Sequence, residues 1–162
     1  ATILSADDKA HSRQIFYVLA MLTTGKALQV VSMETTALNT TSSASYVDST
    51  ITLAITPSAT SSKVLVMYEV NGVAKDVAAS KVQILLMRDS TGLKAISDVL
   101  SDGITDDRSH IAGFDLDSPS TTSATTYKIQ YKRVNGSGDV NINKISSTAQ
   151  TTSSITLMEI GA

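Results

Sequence analysis

The sequence contains no cysteine and no tryptophan, and few of its side chains are charged. Without thiolates, a disulfide framework, a cysteine-ligated zinc finger and an iron–sulfur cluster are excluded. The 13 basic and 15 acidic residues give a formal net charge of −2, so the chain lacks the basic excess that attracts nucleic-acid backbones. The longest apolar run, Ile15–Leu22, has eight residues, whereas a membrane-spanning helix needs about 20. We therefore expect neither a nucleic-acid nor a membrane partner.

Serine and threonine are abundant instead, with 23 and 21 of the 162 residues, beside 42% hydrophobic residues. This length is typical of one domain. Such a domain buries a core without disulfides or metals, because a chain of about 150 residues hides roughly two-thirds of its unfolded surface. The small net charge and the many Val, Ile and Leu residues argue against disorder. The composition favours a β-rich structural protein.

Residues 1–24 differ from the rest of the chain. Ser5 is suited to begin a helix and Gly25 to end it, and apolar residues between them recur with helical spacing. Because Ile15–Leu22 is apolar on all sides, something must cover it. Two interpretations are open: the run packs onto its own domain, or it docks onto another chain. We predict an N-terminal anchoring arm over residues 1–24, helical or extended, with these contact residues: Ile15, Phe16, Val18, Leu19 and Leu22.

From Lys26 onward the hydrophobic pattern changes to a period of two, which is typical of strands. Residues 50–56 (TITLAIT) alternate between β-branched polar and apolar side chains, as in a half-buried strand. Lys63–Val70 and Lys81–Arg88 are apolar partly on both faces, which indicates cover on both sides by a second sheet or by a neighbouring subunit. With one strand about every dozen residues, residues 25–162 are predicted to form an antiparallel β-sandwich domain.

Turn dipeptides and Ser/Thr-rich links separate the predicted strands. Asn71-Gly72 and Asn135-Gly136 are strong turn signals. The stretch 92–113 is less regular. Its apolar residues between 93 and 100 have helical spacing, so a short helix and an irregular loop are both open.

No motif in the sequence carries recognisable chemistry. Neither a G-x-S-x-G turn nor a glycine-rich phosphate loop occurs. His11 is interpreted as a solvated or subunit-contacting residue, and His110 lies near several aspartates without the serine turn that a hydrolase triad needs. Asp115 and Asp117 share one face of a strand, as a glycosidase pair would, but the simpler interpretation is solvated carboxylates. Residues 102–107 offer oxygen ligands without matching a calcium loop. We predict no catalytic residue, no cofactor and no metal site, and hence a protein that is not an enzyme.

Several segments, in order along the chain, resemble short fibre-like and decoration proteins on the virions of tailed bacteriophages, notably marine and cyanobacterial ones. They are Gly25–Val31 (GKALQVV), Thr56–Val66 (TPSATSSKVLV), Leu86–Ser90 (LMRDS), Asp117–Pro119 (DSP) with Thr126–Gln130 (TYKIQ), and Ser154–Ile160 (SITLMEI). The resemblance spans about residues 25–162. It implies a jelly-roll-like β-sandwich, usually a trimer, on the outside of a virion, and it brings no catalytic residues with it.

The resulting prediction is a trimeric capsid decoration (cement) protein that binds the major capsid protein or another virion protein and stabilises the shell. It is made in the host cytoplasm and placed on the virion surface. The short lead favours this role over the main alternative, a fibre tip that binds a host-surface glycan. A carbohydrate-active enzyme using Asp115 and Asp117 and a cellular binding module are the further alternatives. On the two strands that are apolar on both faces, we assign a trimer core to four residues: Val66, Tyr68, Ile84 and Leu86.

Overall fold

The computed structural model describes residues 25–96, 100, 103–146 and 150–162. Across these residues the chain forms ten β-strands and no helix. The strands are β1 (Ala27–Thr35), β2 (Asn39–Thr41), β3 (Val47–Ile55), β4 (Lys63–Lys75), β5 (Lys81–Arg88), β6 (Thr91–Ile96), β7 (Arg108–Asp117), β8 (Thr125–Val134), β9 (Val140–Ile142) and β10 (Ser153–Ile160). In this part of the chain, no helix is long and apolar enough to span a membrane. The predicted anchoring arm lies outside the described residues.

The strands form two antiparallel sheets. The six-stranded sheet has the order β1-β10-β4-β9-β2, with β7 on the other edge of β4, and the four-stranded sheet has the order β3-β8-β5-β6. Five nested pairs join the first strand to the last, the second to the ninth and so on inward: β1·β10, β2·β9, β3·β8, β4·β7 and β5·β6. A long hairpin rolled up in this way is a jelly roll. The predicted jelly-roll-like antiparallel β-sandwich is confirmed.

The core lies between the two sheets and follows from the period of two. In β8, the inward side chains Tyr127, Ile129 and Tyr131 are buried, while Lys128 and Gln130 point outward. The same alternation places one face of β3, β4, β5 and β10 in the core. Burial of these apolar faces stabilises the domain by roughly 25 cal/mol for each Å² removed from water.

The assignment of a trimer core is corrected by the structure. Val66, Ile84 and Leu86 have no exposed surface, and Tyr68 retains 4%. All four belong to the core between the two sheets of one chain, so none of them is available to a second copy. Tyr68 also packs over Gly113 on β7, where a Cβ atom would lie 2.5 Å from the tyrosine hydroxyl oxygen.

One of the two predicted turns is confirmed. Asn135 and Gly136 both have a positive φ and follow β8 directly. The prediction for Asn71-Gly72 is wrong, because β4 continues through these residues as a bulge between Val70 and Val73. A turn and a β-bulge both favour a glycine with a positive φ, and the dipeptide alone does not distinguish them. Gly72 has φ +57°, and a Cβ there would lie 2.5 Å from the backbone nitrogen of Lys144.

For the first residues of the stretch 92–113, both interpretations, a short helix and an irregular loop, are wrong. Residues 91–96 form β6 and pair with β5, with Ala95 opposite Leu85. Leu93 and Ile96 pack against the core. Pairing with a neighbouring strand therefore outweighs the local helical spacing, as is common for short segments.

Candidate binding surface

The outer side of the six-stranded sheet carries a contiguous group of apolar side chains. Leu65 lies between Leu116 and Met158 in the sheet, and Met158 in turn lies beside Val30, which completes a row across four strands. In the next row, Met67 is paired with Phe114. We call this surface the outer patch, and it consists of Val30, Leu65, Met67, Phe114, Leu116 and Met158.

Several side chains of the outer patch are largely exposed. The exposed fraction is 68% for Phe114, 53% for Val30 and 52% for Leu116. Single exposed apolar residues are ordinary, but contiguous ones mark interaction surfaces. A shallow depression of about 420 Å³ opens beside Phe114, with Met67 and Thr156 also in its lining. The outer patch is therefore the best candidate for a binding surface among the described residues.

Charged residues flank the outer patch with opposite signs. Exposed Lys63 lies at the end of the sheet where β1 begins. At the other end, the row that follows Met67 contains the exposed acids Glu34 and Glu69, on either side of Ser154. A partner that lies along the strands would thus meet positive charge at one end and negative charge at the other.

A buried carboxylate lies on the inner side of the same sheet. Glu159, which is 1% exposed, accepts hydrogen bonds from the backbone N–H of Ser58 at 2.7 Å, from the Ser58 hydroxyl at 2.6 Å and from the Gln29 amide at 2.6 Å. Burial alone would raise the pKa of the Glu159 carboxyl, but these donors outweigh burial and lower it to about 2. We call these three residues the Glu159 cluster. Its hydrogen bonds connect the loop before β4 to β1 and β10.

A second polar cluster joins the two sheets. Arg88 Nη1 of β5 donates to both carboxylate oxygens of Asp117 on β7, each at 2.8 Å, and the Tyr127 hydroxyl of β8 donates to the same carboxylate at 2.7 Å. Tyr127 has no exposed surface. Burial, and then the hydrogen bond to Asp117, raise the pKa of the Tyr127 hydroxyl, which therefore remains a donor. We call these three residues the Asp117 cluster.

The two clusters occupy the same end of the sandwich. Glu159 and Asp117 flank Val64 in one row of the six-stranded sheet, and Gln29 lies beyond Glu159. This row therefore places both acids on the inner face, at the end where β1 begins. Each carboxylate accepts hydrogen bonds from donors on other strands or loops.

The residues considered for chemistry are not assembled into a site. Asp115 and Asp117 share the inner face of β7, as predicted, but Asp117 is engaged by Arg88 and Tyr127. His110 is exposed on the outer side of β7. Among the described residues, no group of three or more His, Asp or Glu side chains could hold a metal ion; Asp102, part of the possible cation loop, lies outside them. The contact residues predicted for the arm, Ile15, Phe16, Val18, Leu19 and Leu22, also lie outside the described residues.

The sequence interpretation missed both the outer patch and the Glu159 cluster. It assigned no role to Glu159, although Glu159 continues the inward series of Ile155 and Leu157 at a spacing of two. That spacing was the available signal. For the outer patch, alternation alone did not distinguish Leu65 and Met67 from their inward neighbours.

Comparison with known proteins gives little. No protein-family model matches the sequence, and no curated protein matches it either. Among solved structures, the chain is similar to one in "Structure of infectious bursal disease virus Gx strain", with 13% sequence identity and a TM-score of 0.37. The match covers 84% of this chain and 37% of that chain. This chain thus corresponds to little more than a third of that one, and the assignment of a jelly roll rests on the strand pairing described above.

Proposed function

We propose that this protein is a virion structural protein, and specifically a trimeric capsid decoration (cement) protein of a tailed bacteriophage. It binds the assembled outer shell and stabilises it. The supporting resemblance consists of short segments, each of which means little alone. The observation that carries the proposal is that these segments meet in space.

The resembling segments supply the residues of the two polar clusters. Gln29 of GKALQVV and Ser58 of TPSATSSKVLV both donate to Glu159 of SITLMEI. Arg88 of LMRDS and Tyr127 of TYKIQ both donate to Asp117 of DSP. The resembling segments, which lie far apart in the sequence, are therefore joined by hydrogen bonds at one end of the jelly roll. They act together as one structural unit, and this supports reading them as one signature.

A decoration protein needs a rigid domain and a binding surface but no reaction. The closed sandwich provides the rigid domain, and an arm over residues 1–24 provides the anchor. Binding through three linked arms multiplies the affinity for a lattice by effective concentration. A protein that binds only the assembled shell stabilises the shell by mass action.

The proposal is tested by adding purified protein to particles that lack it. Replacing Leu19 with aspartate is expected to weaken binding by about 100-fold, because a lost apolar contact and a buried charge together cost about 3 kcal/mol. The matched control is Leu38→Asp, at an exposed leucine of the sandwich domain, which should bind like the wild type. Binding is measured by co-sedimentation with the particles.

Two results would contradict this assignment. Leu19→Asp and Ile15→Asp that both bind as tightly as the control would show that the arm is not the anchor. Wild-type protein that binds host cells but not particles would favour the fibre-tip alternative.

A further inference from the structure

We infer that the outer patch has a partner within the same chain, namely the apolar segment Ile15–Leu22. The sequence leaves open whether this segment covers its own domain or another chain. Three features favour its own domain: the position at which the chain joins the domain, the length of the segment, and the charge of Arg13 just before it. This inference goes beyond the proposed function and concerns the free protein.

The chain enters the domain beside the outer patch. The backbone N–H of Gly25 donates to the Gly161 carbonyl at 2.5 Å, and the N–H of Gly161 donates to the Lys26 carbonyl at 2.9 Å. These bonds fix the entry point at the start of β1 and the end of β10, the strands that carry Val30 and Met158. Leu22 comes three residues before Gly25 and therefore lies within about 10 Å of this corner.

The backbone at Gly25 allows the chain to reverse its direction. Gly25 has φ +69°, and a Cβ there would meet no atom within 4 Å. This left-handed conformation is the one that follows the last turn of many helices.

The segment matches the outer patch in length. Eight helical residues extend over about 12 Å. The two rows of the outer patch are two residues apart along each strand, or about 6.8 Å, and its four strands are about 14 Å across. A helix of Ile15–Leu22 that starts at the corner and runs along the strands would therefore span both rows, over the patch residues of β1, β10 and β4.

The charge of Arg13, two residues before the segment, also matches this placement. At about 1.5 Å per residue, Arg13 would lie about 18 Å from Gly25. Glu69 comes six residues after Lys63, or about 20 Å along β4, in the row that also holds Glu34. The helix would thus place Arg13 near two exposed glutamates.

The outer side of the four-stranded sheet offers no such match. It presents Lys128, Gln130 and Lys132 of β8 beside Leu85 of β5. These polar and basic side chains neither cover an apolar helix nor attract Arg13. A helix that is apolar on all sides would cover the outer patch with one side and leave its opposite side for the shell.

Cross-linking of paired cysteines tests the inference, because the natural sequence has no cysteine. The test variant is Phe16→Cys with Met67→Cys, and the matched control is Phe16→Cys with Leu85→Cys, since Met67 and Leu85 are both half-buried on outer faces. Treated with a short bismaleimide, the test variant should form an intrachain cross-link roughly tenfold faster than the control, at a rate independent of dilution. Ala20→Cys with Leu65→Cys repeats the test one helical turn closer to Gly25, on the helix side opposite Ile15 and Leu19.

The other outcomes would overturn the inference. Cross-links that form between chains and decline on dilution would show that a second copy occupies the outer patch. Equal rates for test and control variants, with thermal melting like the wild type, would show that the segment does not cover this face. Cross-linking is measured on the free protein without particles, so its result does not depend on particle binding. The inference and the proposed function are therefore tested separately.

Discussion

Replacing Asp117 with alanine is expected to lower the free energy of unfolding by about 3 kcal/mol, because it leaves two buried partners without their acceptor. The Tyr127 hydroxyl has no exposed surface, and the side chains of Arg88 and Asp117 are only 24% and 10% exposed. Removing the carboxylate therefore leaves both a hydroxyl and a positive charge poorly solvated. For a chain of this size, the loss corresponds to a fall in Tm of about 6–12 °C.

Urea unfolding measures this effect, and Asp115→Ala is the matched control on the same face of β7. The control is expected to change the free energy of unfolding by less than about 1 kcal/mol. Tyr127→Phe should cost about 1 kcal/mol, because it removes one hydrogen bond and keeps the ion pair. Equal losses for Asp117→Ala and Asp115→Ala would contradict the role assigned to the Asp117 cluster.

Acid is expected to destabilise the protein through Glu159. The pKa of this carboxyl is about 2 in the folded protein, against an ordinary value of 4.5. As the pH falls, the unfolded chain therefore takes up the proton first. The contribution of Glu159 is complete above about pH 4.5 and is lost between there and pH 2, and it amounts to roughly 2–3 kcal/mol.

Glu159→Gln removes this contribution while keeping the size of the side chain. The free energy of unfolding of the wild type minus that of Glu159→Gln should shrink by roughly 2–3 kcal/mol between pH 5 and pH 2. Glu69→Gln, at an exposed acid of the same sheet, is the control and should leave the pH dependence of the wild type nearly unchanged. A difference between wild type and Glu159→Gln that stays constant with pH would exclude a buried, hydrogen-bonded anion at this position.

The strands with regular alternation were predictable from the sequence because alternation is a local property, whereas β6 was not predicted. The pattern at residues 50–56 and the runs at Lys63–Val70 and Lys81–Arg88 each correspond to a strand of the structure. The sheet to which each strand belongs is not a local property, and it depends on pairs such as β1·β10 that join the two ends of the domain. The resemblance to virion proteins implied this topology, and composition did not.

The functional surface was less predictable for two physical reasons. In Lys63–Val70 both faces are apolar, so alternation did not show whether Val66 or Met67 faces the core. The polar clusters depend on partners far apart in sequence, as for Ser58 and Glu159, which are 101 positions apart. A lone acid such as Glu159 looks solvated until the loop that donates to it is known.

The most direct test of the proposed role is the copy number of the protein in purified particles, measured by quantitative mass spectrometry against the major shell protein. A lattice-binding cement protein occupies symmetry-related sites over the whole shell. We therefore expect about one copy per shell subunit. Fewer than about one copy per twenty subunits would indicate a tail or vertex fibre, and absence from the particles would contradict a virion role altogether.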